Sequence, residues 1–345
     1  MSIHNGQKRA GLKDVASLAG TSIASVSRVL SNKGYYSVDL RQKVMDAVSQ
    51  LNYRPNLQAR GLRKQRSHSI GLLIPNLMNA YYTAVADTVS QLLTNQGYQL
   101  LLSSTRDDPA VERETLDKII GHDVAGMIWV PTVADRQHIL YLKGQNIPIV
   151  SIVRKVEDNL IDTIVFEDLA GSQAAIRHLI QLGHRKIGYI GGDIRYSSNY
   201  DRWQGYLAAI REAGIPEKKE YVKLGTFRST WGTIACNDLL NLPSPPTALF
   251  VASNAIVPGV MKTLRQSTLR IPDDISLMCF DDLDWFSYSD PPISAVATSH
   301  ELLAEAAVDL LRHRIEDPLG MDKTPSFLQL TFQLMIRRST APPRS

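Results

Sequence analysis

The sequence predicts a small all-α head joined to an α/β body of two lobes built on parallel sheets. Three observations carry this reading. Positive charge is concentrated at the front: residues 1–66 hold twelve Lys and Arg against three Asp and no Glu, a net +9, which leaves −5 for the rest of a 345-residue chain whose total is +4. The stretch "LKDVASLAGTSIASVSRVLSNK" (12–33) contains two short helical patterns split by Gly20-Thr21-Ser22. From Ser69 onward, short continuous apolar runs alternate with helical stretches, as parallel strands covered on both faces do. The length calls for more than one core.

In the head, Val15, Ala16 and Ala19 give a short helix from Lys13 to Ala19. Gly20 suits the turn that ends it, and Ser22 caps the next helix. Val26, Val29 and Leu30 form that helix's inward stripe. A third helix is expected from Ser37 to Leu51, with Leu40, Val44, Ala47, Val48 and Leu51 closing the core. Three short helices, a glycine turn and a strong positive charge fit a helix-turn-helix module whose partner is a polyanion. In that geometry the start of the second helix enters the major groove. Its outward positions are Ile23, Ala24, Ser25, Ser27 and Arg28. Arg28 has the fork to grip guanine, while Ile23 and Ala24 can touch thymine methyls. Ser22, Ser25, Ser27, Asn32 and Tyr35 are candidate phosphate or base contacts.

Pro55 ends the third helix, and Asn56 can cap a short helix over about 57–64. Gly61 weakens it by about 1 kcal/mol relative to Ala, so this segment reads as a linker that orders when something holds it. Leu62, apolar between Arg60 and Arg63, has the form of a wedge for a base step in the minor groove.

In the body the strand-like runs are 70–75, 98–104, 126–131, 147–152 and 163–166, then 186–191, 247–252 and 275–280. One sheet would need too many strands, so two lobes are expected, with a ligand in the cleft between them at the strands' carboxyl ends. "FQLMIRRSTAPPRS" reads as a last strand and a Pro-rich tail without a heptad repeat, which gives no support for a tail-borne tetramer.

"LKDVASLAGTSIASVSRVL" followed by "NYRPNLQARGLR" resembles the N-terminal module of LacI/GalR-family repressors, without a gap over residues 12–64 and on into "SIGLLIPN" (69–76). The resemblance implies that paired hinge helices open a central step, usually CpG, of a palindromic operator on double-stranded DNA. By position Leu62 is the wedge, with Ala59 and Arg60 beside it. More loosely, "HLIQLGHRKIGYIGG", "RWQGYLAAIREAGI", "LRIPDDISLMCFDDLDW" and "DPPISAV" resemble the family's periplasmic-binding-protein-like body. That implies a helix-turn-helix domain over 1–53, a hinge over 54–68 and an effector-binding, dimerising body over 69–345. Its N-lobe would take about 69–162 and 294–325, its C-lobe about 163–293 and 326–345. The implied effector contacts are Tyr81, Tyr82, Phe166, Arg202, Phe227, Ser253 and Asp281, with the core as the alternative place for Tyr82 and Phe166. Flat aromatic faces beside charged groups suit a small polar ligand, a sugar or sugar acid. Three positions depart from the family's common pattern: Val153 before Arg154, Ser253-Asn254 in "SNAIV", and Glu167 where Asp is usual.

Catalytic patterns are missing. Gly183 and Gly188 have phosphate-loop spacing, but Tyr189 follows where Lys is required, and there is no GxGxxG, GxSxG, HExxH or CxxC. His178 and His184 read as structural, and no cofactor or metal is expected. The opening "MSIHNGQKRAGLKD" lacks the apolar core of a secretory signal, and no apolar run reaches 18 residues. With Cys236 and Cys279 expected as buried free thiols, a cytoplasmic, nucleoid-associated bacterial protein follows. The reading is an allosterically controlled repressor. The alternatives are a soluble sugar-binding receptor and an architectural DNA-binding protein without allosteric control.

Overall fold

The computed structural model describes residues 10–30, 34–53, 67–132, 136–156, 158, 160–317 and 324–344. The chain forms two compact units, Met1–Ser67 and His68–Ser345.

In the first unit, α1 (Leu12–Leu18), α2 (Ile23–Leu30) and α3 (Val38–Gln50) close around Val15, Ala16, Ala19, Val26, Val29, Val44 and Ala47. Small side chains let the three helices approach one another closely. The Asp14 carboxylate accepts from the Gly11 amide at 2.7 Å at the start of α1, where negative charge also suits the helix dipole. Gly20, at φ +62°, makes the turn between α1 and α2 in a backbone region that disfavours L side chains. Ser22 Oγ caps α2 by accepting from the Ser25 amide at 3.1 Å, and Ser37 caps α3 by accepting from the Leu40 amide. The segment expected to hold the 57–64 helix, with Ala59, Arg60 and Leu62, lies outside the described residues, as does Asn32.

The second unit contains two six-stranded sheets. The first lobe orders its strands β2 (Gln99–Ser104), β1 (Ser69–Ile74), β3 (Gly126–Trp129), β4 (Ile149–Ile152), β5 (Asp162–Phe166) and β11 (Phe327–Leu330), all parallel. The second orders β7 (Val222–Leu224), β6 (Ile187–Gly191), β8 (Ala248–Val251), β9 (Ser276–Phe280), β10 (Ser294–Ala297) and β12 (Gln333–Met335), with β12 antiparallel on the edge. Among the helices, α4 (Ala80–Asn95) and α12 (His300–Glu316) cover the first sheet. On the second, α7 (Asp168–Gln181) crosses α8 (Ser197–Glu212), and α9 (Ser229–Leu240) crosses α10 (Val257–Gln266). The α7–α8 crossing depends on Gly205: a Cβ there would lie 2.2 Å from the Leu169 carbonyl oxygen.

The chain passes between lobes three times: after β5, after β10, and between β11 and β12. This corrects the expected lobe boundaries. β5 (Asp162–Phe166) pairs with β4 and closes the first sheet rather than opening the second lobe. β10, within the stretch assigned to the first lobe, pairs with β9. β11, assigned to the second, pairs with β5. In each case backbone pairing holds the strand in the sheet it extends, and the change of lobe follows the strand.

The tail is fixed to the second lobe. His184 contacts Thr247 Oγ1 at 2.8 Å through Nδ1 and the Ala341 carbonyl at 2.9 Å through Nε2. Burial pushes its pKa down, which suits a neutral structural ring. Ser339 Oγ donates to the Leu277 carbonyl at 2.6 Å and accepts from the Ser294 amide at 2.7 Å. Cys236 and Cys279 are buried and free. Among the described residues no helix is long and apolar enough to cross a membrane.

Candidate DNA-reading face and effector cleft

The geometry of α2 separates two faces. Val26 and Val29 point into the core, while Ser22, Ile23, Ala24, Ser27 and Arg28 are exposed and Ser25 is half-buried. The Ser22–Ser25 cap fixes the first turn, with the two hydroxyls 2.9 Å apart. An exposed first turn with hydroxyl side chains and a side chain able to grip guanine give the face the form of a groove reader.

In the body, the expected effector residues stand at or beyond the carboxyl ends of the strands. Phe166 ends β5 inside the first lobe's core beside Ile164 and Ile152. Tyr81 and Tyr82 stand at the start of α4, capped by Asn79 Oδ1 at 3.0 Å from the Tyr81 amide. Their rings meet edge to face at 5.9 Å. Burial pushes the Tyr82 hydroxyl up to about 12, against the pull of Arg154, and burial together with nearby Asp281 pushes the Tyr81 hydroxyl well above its usual value.

Arg202 is not a free donor. Its Nε donates to Asp168 Oδ1 at 2.8 Å, its Nη1 to the Ala252 carbonyl at 2.8 Å and its Nη2 to Asp281 Oδ1 at 3.4 Å. Its guanidinium also covers the Phe280 ring, 3.7 Å from the centroid. Asp281 follows β9 at φ +63° and accepts from Asn254 Nδ2 at 2.8 Å and Thr298 Oγ1 at 3.4 Å. Asp168 is 3% exposed, and burial raises its carboxyl to about 6 even beside Arg202. Asp168 directly follows the first crossover and Thr298 stands at the second. One buried chain of bonds, Asp168–Arg202–Asp281–Thr298, therefore joins two crossovers through the cleft.

Three residues that the sequence did not single out as ligand contacts join this site: Arg154, Tyr196 and Asn254. Val153 sits at φ +68° in a tight three-residue turn closed by the Arg154 amide on the Ile152 carbonyl at 2.8 Å. For a β-branched residue this conformation costs on the order of 1–3 kcal/mol. The turn places the Arg154 guanidinium 3.8 Å above the Tyr196 ring of the other lobe, with Phe227 5.9 Å away. Arg154 Nη1 donates to Asp107 Oδ1 at 2.8 Å. The adjacent Lys155 amide donates to Ser197 Oγ at 2.7 Å, and its ammonium pairs with Asp201. Ser253 is buried just after β8; its neighbour Asn254 makes the bond to Asp281. The signal for Arg154 was present in the sequence as the unusual Val153-Arg154 pair, but the turn that aims it is a tertiary feature.

A basic helical head with an exposed groove-reading face, and a two-lobed α/β body with a polar cleft, together define a DNA-binding transcriptional regulator. A family model described as bacterial regulatory proteins, lacI family, matches residues 11–56, and one described as a periplasmic binding protein-like domain matches residues 176–340. The HTH-type transcriptional repressor PurR of Actinobacillus pleuropneumoniae serotype 3 (strain JL03) is 32% identical over 333 residues, 96% of this chain and 98% of that one. The ribose operon repressor of Escherichia coli (strain K12) is 32% identical over 331 residues, 96% and 99% of the two chains. The chain belongs to the lacI family of bacterial regulatory proteins. Among solved structures, the Lac repressor dimer bound to operator and the anti-inducer ONPF is similar with a TM-score of 0.84 at 26% identity, covering 97% of this chain and 100% of that one.

Proposed function

We propose that the protein is a homodimeric, operator-specific repressor controlled by a small polar effector, a sugar or sugar derivative, bound between the lobes of the body. The observation that carries the allosteric reading is the buried chain Asp168–Arg202–Asp281–Thr298. A ligand that engages its cleft side biases the two crossovers on which the lobes turn. A ligand with different affinities for two lobe arrangements shifts their populations, and only such a ligand can act this way.

The working division is a reading head over 1–53, a hinge over 54–68 and a body over 69–345. The head's contacts are Ser22, Ile23, Ala24, Ser25, Ser27, Arg28 and Asn32. Ala59, Arg60 and Leu62 act in the minor groove at a central CpG. The effector contacts are Tyr81, Tyr82, Phe227, Ser253 and Asp281, with Arg202 holding Asp281 in place and Phe166 shaping the floor. Two copies are needed because one recognition helix reads a half-site, and paired heads match a palindrome. The protein acts in the bacterial cytoplasm on the nucleoid, and it performs no catalysis.

The test is fluorescence anisotropy on the gene's own upstream DNA and on random DNA. Leu62→Ala is expected to weaken binding to the former far more than to the latter. Equal loss on both removes the wedge role, and equal affinity for both DNAs removes operator specificity.

A further inference from the structure

Two neighbouring carboxylates follow β9 and are held by different groups. Asp281, 6% exposed, answers Arg202, Asn254 and Thr298 at the cleft. Asp282 is taken by Arg337, the second residue after β12. The hold is two-pronged: Arg337 Nη1 donates to Asp282 Oδ1 at 2.8 Å and Nη2 to Oδ2 at 2.5 Å. Nη1 also donates to the Ile293 carbonyl at 2.5 Å, and the Arg337 amide donates to Ser294 Oγ at 2.8 Å. One guanidinium thus staples both ends of the connection over 282–293, between β9 and β10.

Asp281 needs such support. Its φ of +63° lies in the left-handed region, which an L residue keeps only when its surroundings fix it. The Asp282 carboxylate beside it would also repel it if left uncompensated. Arg337 answers both needs. Its fork fixes the direction of Asp282 as the point charge of a lysine would not, and its charge neutralises that carboxylate. The two side chains are 17% and 16% exposed, so salt screens the pair only in part.

We infer that Arg337 is a positioning residue for the effector site: by clamping Asp282 it holds the left-handed turn at Asp281 and so aims that carboxylate at Asn254 and Thr298. This rests on the reading of Asp281 as an effector contact and adds a regulatory link to it. Arg337 belongs to the segment that follows the third crossover, between β11 and β12. The buried chain already joins the first crossover, through Asp168, to the second, through Thr298. The clamp adds the third. An effector that displaces Asp281 therefore works against all three connections on which the lobes turn.

The experiment is NMR of the full-length protein with no small molecule added, reading two side-chain signals. The Asn254 amide group reports the bond to Asp281 Oδ2, and the Arg202 Nε–H reports the bond to Asp168. In Arg337→Ala and in Asp282→Asn the Asn254 signal is expected to shift and its exchange with water to become about tenfold faster, with the Arg202 signal moving less. Arg337→Lys keeps the charge without the fork and serves where the alanine variant does not fold; it is expected to shift the Asn254 signal in the same direction. Arg344→Ala frees the tail from Asp273 and Asp274 and is expected to leave both signals in place. The inference is overturned by an Asn254 signal that stays put in Arg337→Lys and Asp282→Asn, by an Arg202 signal that moves as far as that of Asn254, or by an equal response in Arg344→Ala. Because no effector enters the assay, these outcomes leave the ligand-controlled reading standing. That reading falls separately, if no sugar or sugar acid in a thermal-shift panel stabilises the native protein.

Discussion

Replacing Arg202 with alanine separates a structural arginine from a ligand contact. The guanidinium answers two carboxylates, Asp168 and Asp281, which are 3% and 6% exposed. Its removal leaves both buried without their cation and takes the donor from the Ala252 carbonyl. Breaking a buried pair by deleting one partner costs roughly 3–5 kcal/mol. The groups are too buried for solvent to screen the loss. In a body of this size about 1 kcal/mol moves the midpoint by roughly 2–4 °C, so the body's transition is expected to fall by about 10 °C in the absence of any ligand. The assay is thermal unfolding followed by circular dichroism, repeated across pH. Without the guanidinium the buried Asp168 carboxyl titrates still further above its unfolded value of 3.8. The penalty is then absent below about pH 4 and grows as pH rises. A ligand-free midpoint within 2 °C of the native protein at pH 7, or a loss that is larger at pH 4, refutes the reasoning and returns Arg202 to the role of a plain effector contact.

The native Asp168 gives a second pH signature. Its folded value of about 6 lies above the unfolded 3.8, so its contribution is present below about pH 4 and is lost as pH rises through 6. The native midpoint minus that of Asp168→Asn should fall between pH 4 and 7; a rise would show that the ion pair outweighs burial. Ser22→Ala removes the acceptor of the Ser25 amide and should cost about 1 kcal/mol of head stability, read as faster amide exchange across Ile23–Leu30. Gly205→Ala drives a Cβ to within 2.2 Å of the Leu169 carbonyl and should cost about 3 kcal/mol by overpacking, seen in denaturant unfolding. In an operator selection, half-sites should favour T opposite Ile23 and Ala24 and G opposite Arg28; no such preference would remove those assignments.

The helices of the head and most strands were legible because each carries its own local signal. Ser22 and Ser37 are caps, Gly20 is a turn, and "GLLI" or "LMCF" can be little other than buried strand. β7, β10 and β11 were not read as strands, because each is three or four residues long and takes its identity from the neighbour it pairs with. The lobe boundaries were misread for the same reason: Asp162–Phe166 looks alike at the end of one lobe and at the start of the next. In the cleft, Tyr81, Tyr82, Phe227 and Asp281 were singled out by their positions in the family resemblance, not by any local pattern. The resemblance gave no sign of Arg202's partner Asp168, which another helix supplies. It passed over Arg154, because the place of its guanidinium is decided here by a left-handed Val153 and by Tyr196 on the opposite lobe.

Each sheet takes its outermost strand from the same late segment: β11 lies against β5, β12 against β10, and the residues that follow are tied to Ser276, Leu277 and His184. A ribosome making this chain has all ten earlier strands emerged before either edge is covered. Until then both lobes present an unpaired strand, the kind of surface that draws other chains into aggregates. Both lobes therefore mature together, once this late segment has emerged, and a protein lacking β11 and β12 would lose the protection of both sheets at once.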